Sequence, residues 1–430
     1  MTAEPRLLTL SAPDAAALDR ATGELVARLE SGGQAALDAA AGVPAGDGAQ
    51  PRRAVVAATA AEAVRRLRKR DPRRVFTGRP DRRRPLVFLF SGVGDHYPGL
   101  AAGIYERLPM FRRELDRCFR LLEPELGTDL REVLYPEGGA GGRPGLAALF
   151  DRHGSGQEIH RTLIAQPLVF SMQYALARAL RTLGVEPSAM LGYSVGEYVA
   201  ACVAGVISLE HALRLVAHRA RLVDGLPGGA MLAVMSGPAP LRPFLGDSVA
   251  VAALNGPELT VLSGPVEAVE RAGRRLADQG IGCRRLAASH AFHSPMMEPL
   301  AEPLRALAAG FPLRPPAVPF VSNVTGTWIT AGEATDPAYW ALHLRRTIRF
   351  ADGLRTAWRL VDPIFVELGP GRTLTRLALA VAARRPEEAT VAQTLPGPFE
   401  SHTDRELLLA TAGRLWTAGV EIDWRALTRT

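Results

Sequence analysis

The apolar positions of this chain change their period as it is read. From Leu86 onward, short continuous apolar runs alternate with longer stretches of helical period. The runs are LVFLF (86–90), AMLGY (189–193), PFVSN (319–323), PIFVELG (363–369) and ATVAQTL (389–395). Runs of this kind are expected for parallel strands buried on both faces and wrapped by helices. Between Gly228 and Ser289 the rhythm shortens to AMLAVM, a short helical piece, VAVAAL, LTVLSG, a helix over 266–279 and CRRLAAS. That order, β-α-β-β-α-β, predicts a compact ferredoxin-like insert.

Ahead of these, residues 1–85 read as a small α/β layer. RLLTLSA and RRAVVAAT are its strands, 14–30 and 60–70 its helices, 31–49 a loose Gly/Ala/Pro-rich connector, and RPDRRRP a charged linker. The pattern therefore predicts an α/β protein in four parts: the N-terminal layer 1–85, a parallel-sheet core from 86–227 and 290–395, the insert 228–289, and a C-terminal segment 396–430 carrying one amphipathic helix over 403–418.

Composition narrows the class. With 430 residues, 47% of them hydrophobic, the chain can bury a large core. The apolar stretch 198–217 is interrupted by Glu210 and His211 and reads as two helices rather than a membrane span. No secretory signal is visible at the N-terminus, so the cytoplasm is the expected location. Cys118, Cys202 and Cys283 are too few and too scattered for a disulfide framework or a zinc site.

The net charge of +7 is local: eleven basic residues between Arg65 and Arg84 face only Asp71 and Asp81. The segment lacks the interleaved aromatics of a nucleic-acid surface. It reads as a solvated face, or as a landing surface for an acidic partner.

One stretch carries candidate chemistry. MLGYSVGEYVAA (190–201) places Ser194 between Gly192 and Gly196, after an apolar strand and before a helix. This is the arrangement of a nucleophile elbow, although the glycine–serine spacing alone is common by chance and an ordinary turn serine would look the same. A nucleophilic serine needs a base. His153, His160, His211, His218 and His402 lie among charged or helical neighbours, whereas SHAFHSPMMEP brings His290 and His293 back into the core after the insert. The two histidines could instead bind a metal, but no third ligand has suitable spacing.

In this order the motifs resemble the malonyl-type acyltransferase domains of modular polyketide synthases and, more distantly, malonyl-CoA:acyl carrier protein transacylases. They are FLFSGVGDHYPGL, RTLIAQP, GYSVGEYVAA, LVAHRARLV, AALNGPELTVLSGP, HAFHSPMMEP, VSNVTG, HLRRTIRFADG and FVELGPGRTLT. Residues 1–85 resemble the linker between ketosynthase and acyltransferase, and GVEIDWRAL the start of the following linker.

The resemblance implies an α/β-hydrolase-like core and a Ser194–His293 dyad, with the base oriented by the backbone carbonyl of His343. It implies an oxyanion hole from the Val93 and Val195 N–H groups, and Arg219 as the grip on a substrate carboxylate. His290, Phe292, Gln166 and Tyr193 would line the acyl pocket, and Asn255 would order the strand beside it. Two departures stand out: Ser91-Gly92-Val93-Gly94 replaces the usual Pro-Gly-Gln-Gly, and Tyr193 replaces the usual histidine before the nucleophile.

The form His290-Ala291-Phe292-His293 is associated with malonyl selection, as are Val195 and TLIAQ. Excluding one methyl group is worth only about 1–3 kcal/mol, so the expectation is a preference.

The implied reaction loads a malonyl unit from malonyl-CoA onto Ser194 and then onto the phosphopantetheine thiol of an acyl carrier protein. No permanently bound cofactor or metal is expected. Ketosynthase or other synthase domains are further expected partners; nucleic acid and membrane are not. Either a free-standing enzyme or a piece of a larger synthase fits the motifs. The competing readings are a thioester hydrolase, which would not need Arg219, an acyltransferase for another acyl-CoA, and a catalytically inert carrier-docking scaffold.

Overall fold

The computed structural model describes residues 4–42, 50–80, 82–136, 155–246, 248–382 and 389–428. Its central element is a parallel five-stranded sheet in the order β10-β5-β4-β11-β12. These strands are β4 (Leu86–Phe90), β5 (Ala189–Gly192), β10 (Phe320–Val321), β11 (Ile364–Pro370) and β12 (Thr390–Leu395). Each arises from one of the five continuous apolar runs. Every residue of β4 and β11 is buried, because helices cover both faces of the sheet. On one face lies the Thr162–Thr182 helix, which is buried nearly all round. The other face packs Leu89 and Leu191 against Phe350 and Leu354.

The N-terminal layer is a three-stranded antiparallel sheet of β1 (Arg6–Ser11), β2 (Arg52–Ala57) and β3 (Val75–Gly78). Period-2 alternation along β2 divides its side chains between two cores. Val55 and Ala57 join the helices Ala15–Ala40 and Ala60–Lys69, whereas Ala54 and Val56 face the C-terminal helix Asp404–Thr417.

Two expectations are corrected here. VFTG forms a third strand, too short and too close to the arginine run to stand out as a period. The first helix continues to Ala40 through a break at Gly33 (φ 56°), because Leu37 finds a fully buried place beneath it; only part of the expected connector, 43–49, lies outside the described residues.

The insert is a four-stranded antiparallel sheet, order β7-β8-β6-β9, built from β6 (Ala230–Val234), β7 (Ala250–Gly256), β8 (Leu259–Gly264) and β9 (Cys283–Arg285). Its first crossover is a short 3-10 helix, Ala239–Phe244, instead of an α-helix, because Pro240 and Pro243 remove the N–H donors an α-helix would use. The second is the helix Val266–Asp278. The insert is fastened to the core by main-chain bonds from Ile348 N–H to Ala252 O (2.9 Å) and from Leu254 N–H to Ile348 O (2.8 Å).

Part of the basic segment is paired within the chain. Arg66 meets Glu62 and Glu406, Arg68 meets Glu30, Arg70 meets Asp19, and Arg82 and Arg84 meet Asp362. Its charge thus joins the N-terminal layer to the core and to the C-terminal helix, although each exposed pair is worth about 1 kcal/mol or less. No helix among the described residues is long and apolar enough to cross a membrane.

Candidate active site

The site lies at the C-terminal ends of β4 and β5, the edge at which open parallel sheets collect ligands. Strand β5 ends at Gly192, and the helix Val195–Val203 starts three residues later. Between them Ser194 adopts φ 52°, ψ −115°, a conformation that costs an L-residue about 1–3 kcal/mol.

The two flanking glycines are required by close approach. A Cβ on Gly192 would lie 2.1 Å from the Glu197 nitrogen, and one on Gly196 would lie 2.3 Å from the Phe90 carbonyl oxygen. The turn is thereby pressed onto β4, with the Tyr193 N–H donating to Phe90 O at 2.8 Å.

Ser194 Oγ and His293 Nε2 are 2.8 Å apart. His293 sits on the segment returning from the insert, itself at φ 58°, and its Nδ1 lies 2.9 Å from the Arg346 carbonyl. A carbonyl can only accept, so Nδ1 carries the proton and Nε2 is left bare to accept from the serine hydroxyl.

The orienting carbonyl expected from the motif match was that of His343. In the structure the first partner is the Arg346 carbonyl, which the turn after the helix Pro337–His343 presents to the ring, and the His343 carbonyl is the second. The His343 carbonyl makes the lesser contribution to favouring the protonated ring. Burial, followed by the charges of His343 and Arg219, outweighs both carbonyls and pulls the His293 pKa down to about 3, so the ring is neutral at pH 7.

The residues expected to donate to an oxyanion belong to the helix after the elbow and to the loop after β4. Val195 is the first residue of the helix after the elbow, where main-chain N–H groups have no partner within the helix. Val93 lies in the loop after β4. That loop rests on the elbow, since a Cβ on Gly92 would meet the Tyr193 ring at 3.0 Å. It is held from beneath by Gln173 Nε2 donating to Ser91 O (2.8 Å) and by the Gly94 N–H donating to His96 Nδ1 (3.3 Å).

Arg219 projects from the helix Leu209–Asp224 and is 1% exposed. It donates to Gln166 Oε1 and lies 5.3 Å from the centre of the Tyr198 ring. Its Nε and the Gln166 Nε2 have no protein partner, and no carboxylate contributes to its electrostatics among the described residues. Desolvation lowers its pKa.

His290 Nδ1 contacts Ser289 Oγ (2.9 Å) and Thr162 Oγ1 (3.3 Å), and the His290 ring is edge-on to Phe292 at 6.2 Å. Tyr193 packs edge-on against Phe350 at 5.1 Å, with Asn255 as a hydrogen-bond partner; burial raises its pKa to about 12. Among the described residues no cluster of three or more His, Cys, Asp or Glu side chains could hold a metal ion. His153 lies outside the described residues.

A polar network behind the elbow was not anticipated from the sequence. Glu197, fully buried, accepts from the Asn323 N–H (2.7 Å) and from the Tyr339 hydroxyl, and lies 3.1 Å from His343 Nε2. Its signal in the sequence was a single carboxylate in an otherwise apolar helical run.

Residues 87–422 match the model of the acyl transferase domain family. A phenolphthiocerol/phthiocerol polyketide synthase protein of Mycobacterium tuberculosis (strain CDC 1551 / Oshkosh) is 37% identical over 342 residues, 79% of this chain and 22% of that protein. The chain thus spans about a fifth of that relative's length. Among solved structures, the acyl transferase domain of ZmaA is 31% identical with a TM-score of 0.86, covering 99% of this chain and 96% of that one. The acyl transferase domain of SpnD, solved in complex with 2-(pent-4-yn-1-yl)malonyl, is 36% identical with a TM-score of 0.83, covering 97% and 96%. This chain therefore belongs to the acyl transferase domain family, as a member of the polyketide synthase acyltransferases.

Proposed function

We propose that the chain transfers a malonyl-type acyl group from coenzyme A to the phosphopantetheine thiol of an acyl carrier protein, through an ester on Ser194. The observation that carries this reading is Arg219. A guanidinium removed from water without a counter-anion is costly unless a ligand supplies the charge. A free carboxylate on the acyl group meets that need with bidentate geometry. The substituted malonyl group held by the SpnD domain is of the same class.

In this mechanism Ser194 Oγ attacks the thioester carbonyl as its proton passes to His293 Nε2. The Val195 and Val93 N–H groups receive the developing oxyanion, each such donor contributing about 3 kcal/mol. The C–S bond then breaks, the coenzyme A sulfur takes the proton from His293, and an acyl-serine remains. The carrier thiol reverses the sequence. No step requires a permanently bound cofactor.

The charge of Arg219 is among the influences that depress the basicity of His293. A substrate carboxylate laid against Arg219 offsets that charge, so the base strengthens when the correct acyl group is bound. In this reading Phe292, whose ring meets that of His290, takes the space of an α-methyl group, a discrimination worth about 1–3 kcal/mol.

Competition tests the reading. Malonyl-, methylmalonyl- and acetyl-CoA are offered together to the wild type and to Arg219→Ala, and the acyl-enzyme and acyl-carrier products are resolved by mass. Predominance of malonyl that collapses in Arg219→Ala supports it. An acyl spectrum unchanged by the substitution, or release of free acid without transfer to the carrier, contradicts it.

A further inference from the structure

Asn323 follows β10, the strand beside β5, and its carboxamide bridges the elbow. Oδ1 accepts the Ser194 N–H at 2.8 Å, and Nδ2 donates to the Gly192 carbonyl at 2.7 Å. The two bonds bracket the residue held at φ 52°, ψ −115°. Strained backbone of this kind persists only where its surroundings over-determine it.

Asn323 is itself pinned. Its N–H donates to Glu197 Oε2 at 2.7 Å, and its carbonyl accepts the Arg349 N–H at 2.8 Å. Glu197 is fixed in turn by Tyr339 and His343, and the His343 ring stands 6.0 Å from that of His293, nearly perpendicular to it.

We propose that Asn323, backed by Glu197, is a positioning residue that holds the nucleophile's backbone in its reactive geometry. This rests on Ser194 being the nucleophile, and it occupies the Ser194 N–H, leaving the oxyanion to Val195 and the loop after β4. The carboxamide touches no reacting atom. It acts through the direction in which Ser194 Oγ points, and a misplacement of about 1 Å can cost about 100-fold in rate.

The test uses Asn323→Asp, which keeps the acceptor for Ser194 but sets a carboxylate oxygen against the Gly192 carbonyl. Ser194 is labelled with a fluorophosphonate, in which the serine oxygen bonds phosphorus, fluoride leaves and the proton passes to His293. This probe reads the elbow without Arg219 or an acyl-CoA.

At pH 8 the variant should label about 100-fold more slowly than wild type, with a parallel loss in kcat for malonyl-CoA and little change in KM. As pH falls, the protonated acid can donate to Gly192 O, so the ratio to wild type should recover. Wild-type labelling by the variant, or a deficit independent of pH, overturns the proposal.

Should the variant not fold, Tyr339→Phe removes one donor from Glu197: slower labelling at unchanged KM supports the role, and unchanged labelling overturns it. A wild-type protein labelled by the probe but not by malonyl-CoA defeats the assigned substrate and leaves the Asn323 test intact. Failure of the wild type to label defeats both.

Discussion

Ser194 Oγ and His293 Nε2, 99 residues apart along the chain, meet at 2.8 Å with both residues in left-handed backbone conformations. The contact is thus built from two strained turns. Ser194→Ala and His293→Ala should each reduce acylation by about 10³-fold or more, while the thermal midpoint moves little. Acylation within tenfold of wild type in either variant would remove that side chain from the reaction.

Gly196 tests how the elbow is supported. An added methyl group would meet the Phe90 carbonyl oxygen at 2.3 Å, and backbone cannot rotate away as a side chain can. Gly196→Ala should therefore cost about 1–3 kcal/mol or more and abolish labelling of Ser194. A melting temperature and activity equal to wild type would show that the turn can open at no cost.

Acid should destabilise the fold through two buried histidines. Burial, with a lesser contribution from the charge of His160, lowers the His96 pKa to about 4, and burial first of all lowers that of His293 to about 3. Both rings titrate near 6.5 when unfolded. Between pH 6.5 and 4 the unfolded chain therefore binds protons that the folded chain refuses, so stability falls as pH falls. Each ring contributes a slope of about 1.4 kcal/mol per pH unit. His96→Gln should flatten the acid limb of a melting-temperature profile; profiles of equal slope would show that His96 is not held neutral.

The same depressed basicity should set the rate profile. A base that stays neutral well below pH 6.5 keeps fluorophosphonate labelling of Ser194 nearly constant from pH 8 to pH 5.5. Stopped assays across that range check it, and a fall beginning at pH 6.5 would indicate an imidazole in an aqueous setting.

Much of this was legible in the sequence, for reasons that particular residues show. The five core strands were visible because strands buried on both faces have no polar alternation to confuse, and Gly192 and Gly196 marked the elbow because only glycine fits there. The carbonyl that orients His293 was less legible. A motif places His343 near the base, but which of the following carbonyls bonds Nδ1 depends on the turn after the helix, and that carbonyl is Arg346's.

Glu197 and Asn323 were passed over for a different cause. A polar residue beside an apolar run looks like a solvent-facing position until its partner, 126 residues away, is brought to it. The basic segment was legible as charge but not as structure, because its acidic partners, Asp19, Glu30, Asp362 and Glu406, lie on other elements.

The most direct measurement is intact-protein mass after mixing with malonyl-CoA, followed by peptide mapping and addition of a phosphopantetheinylated carrier protein. The account predicts one malonyl adduct on the peptide bearing Ser194, absent from Ser194→Ala, that disappears as malonyl-carrier protein forms. An adduct elsewhere, or none while the carrier is still loaded, would contradict it.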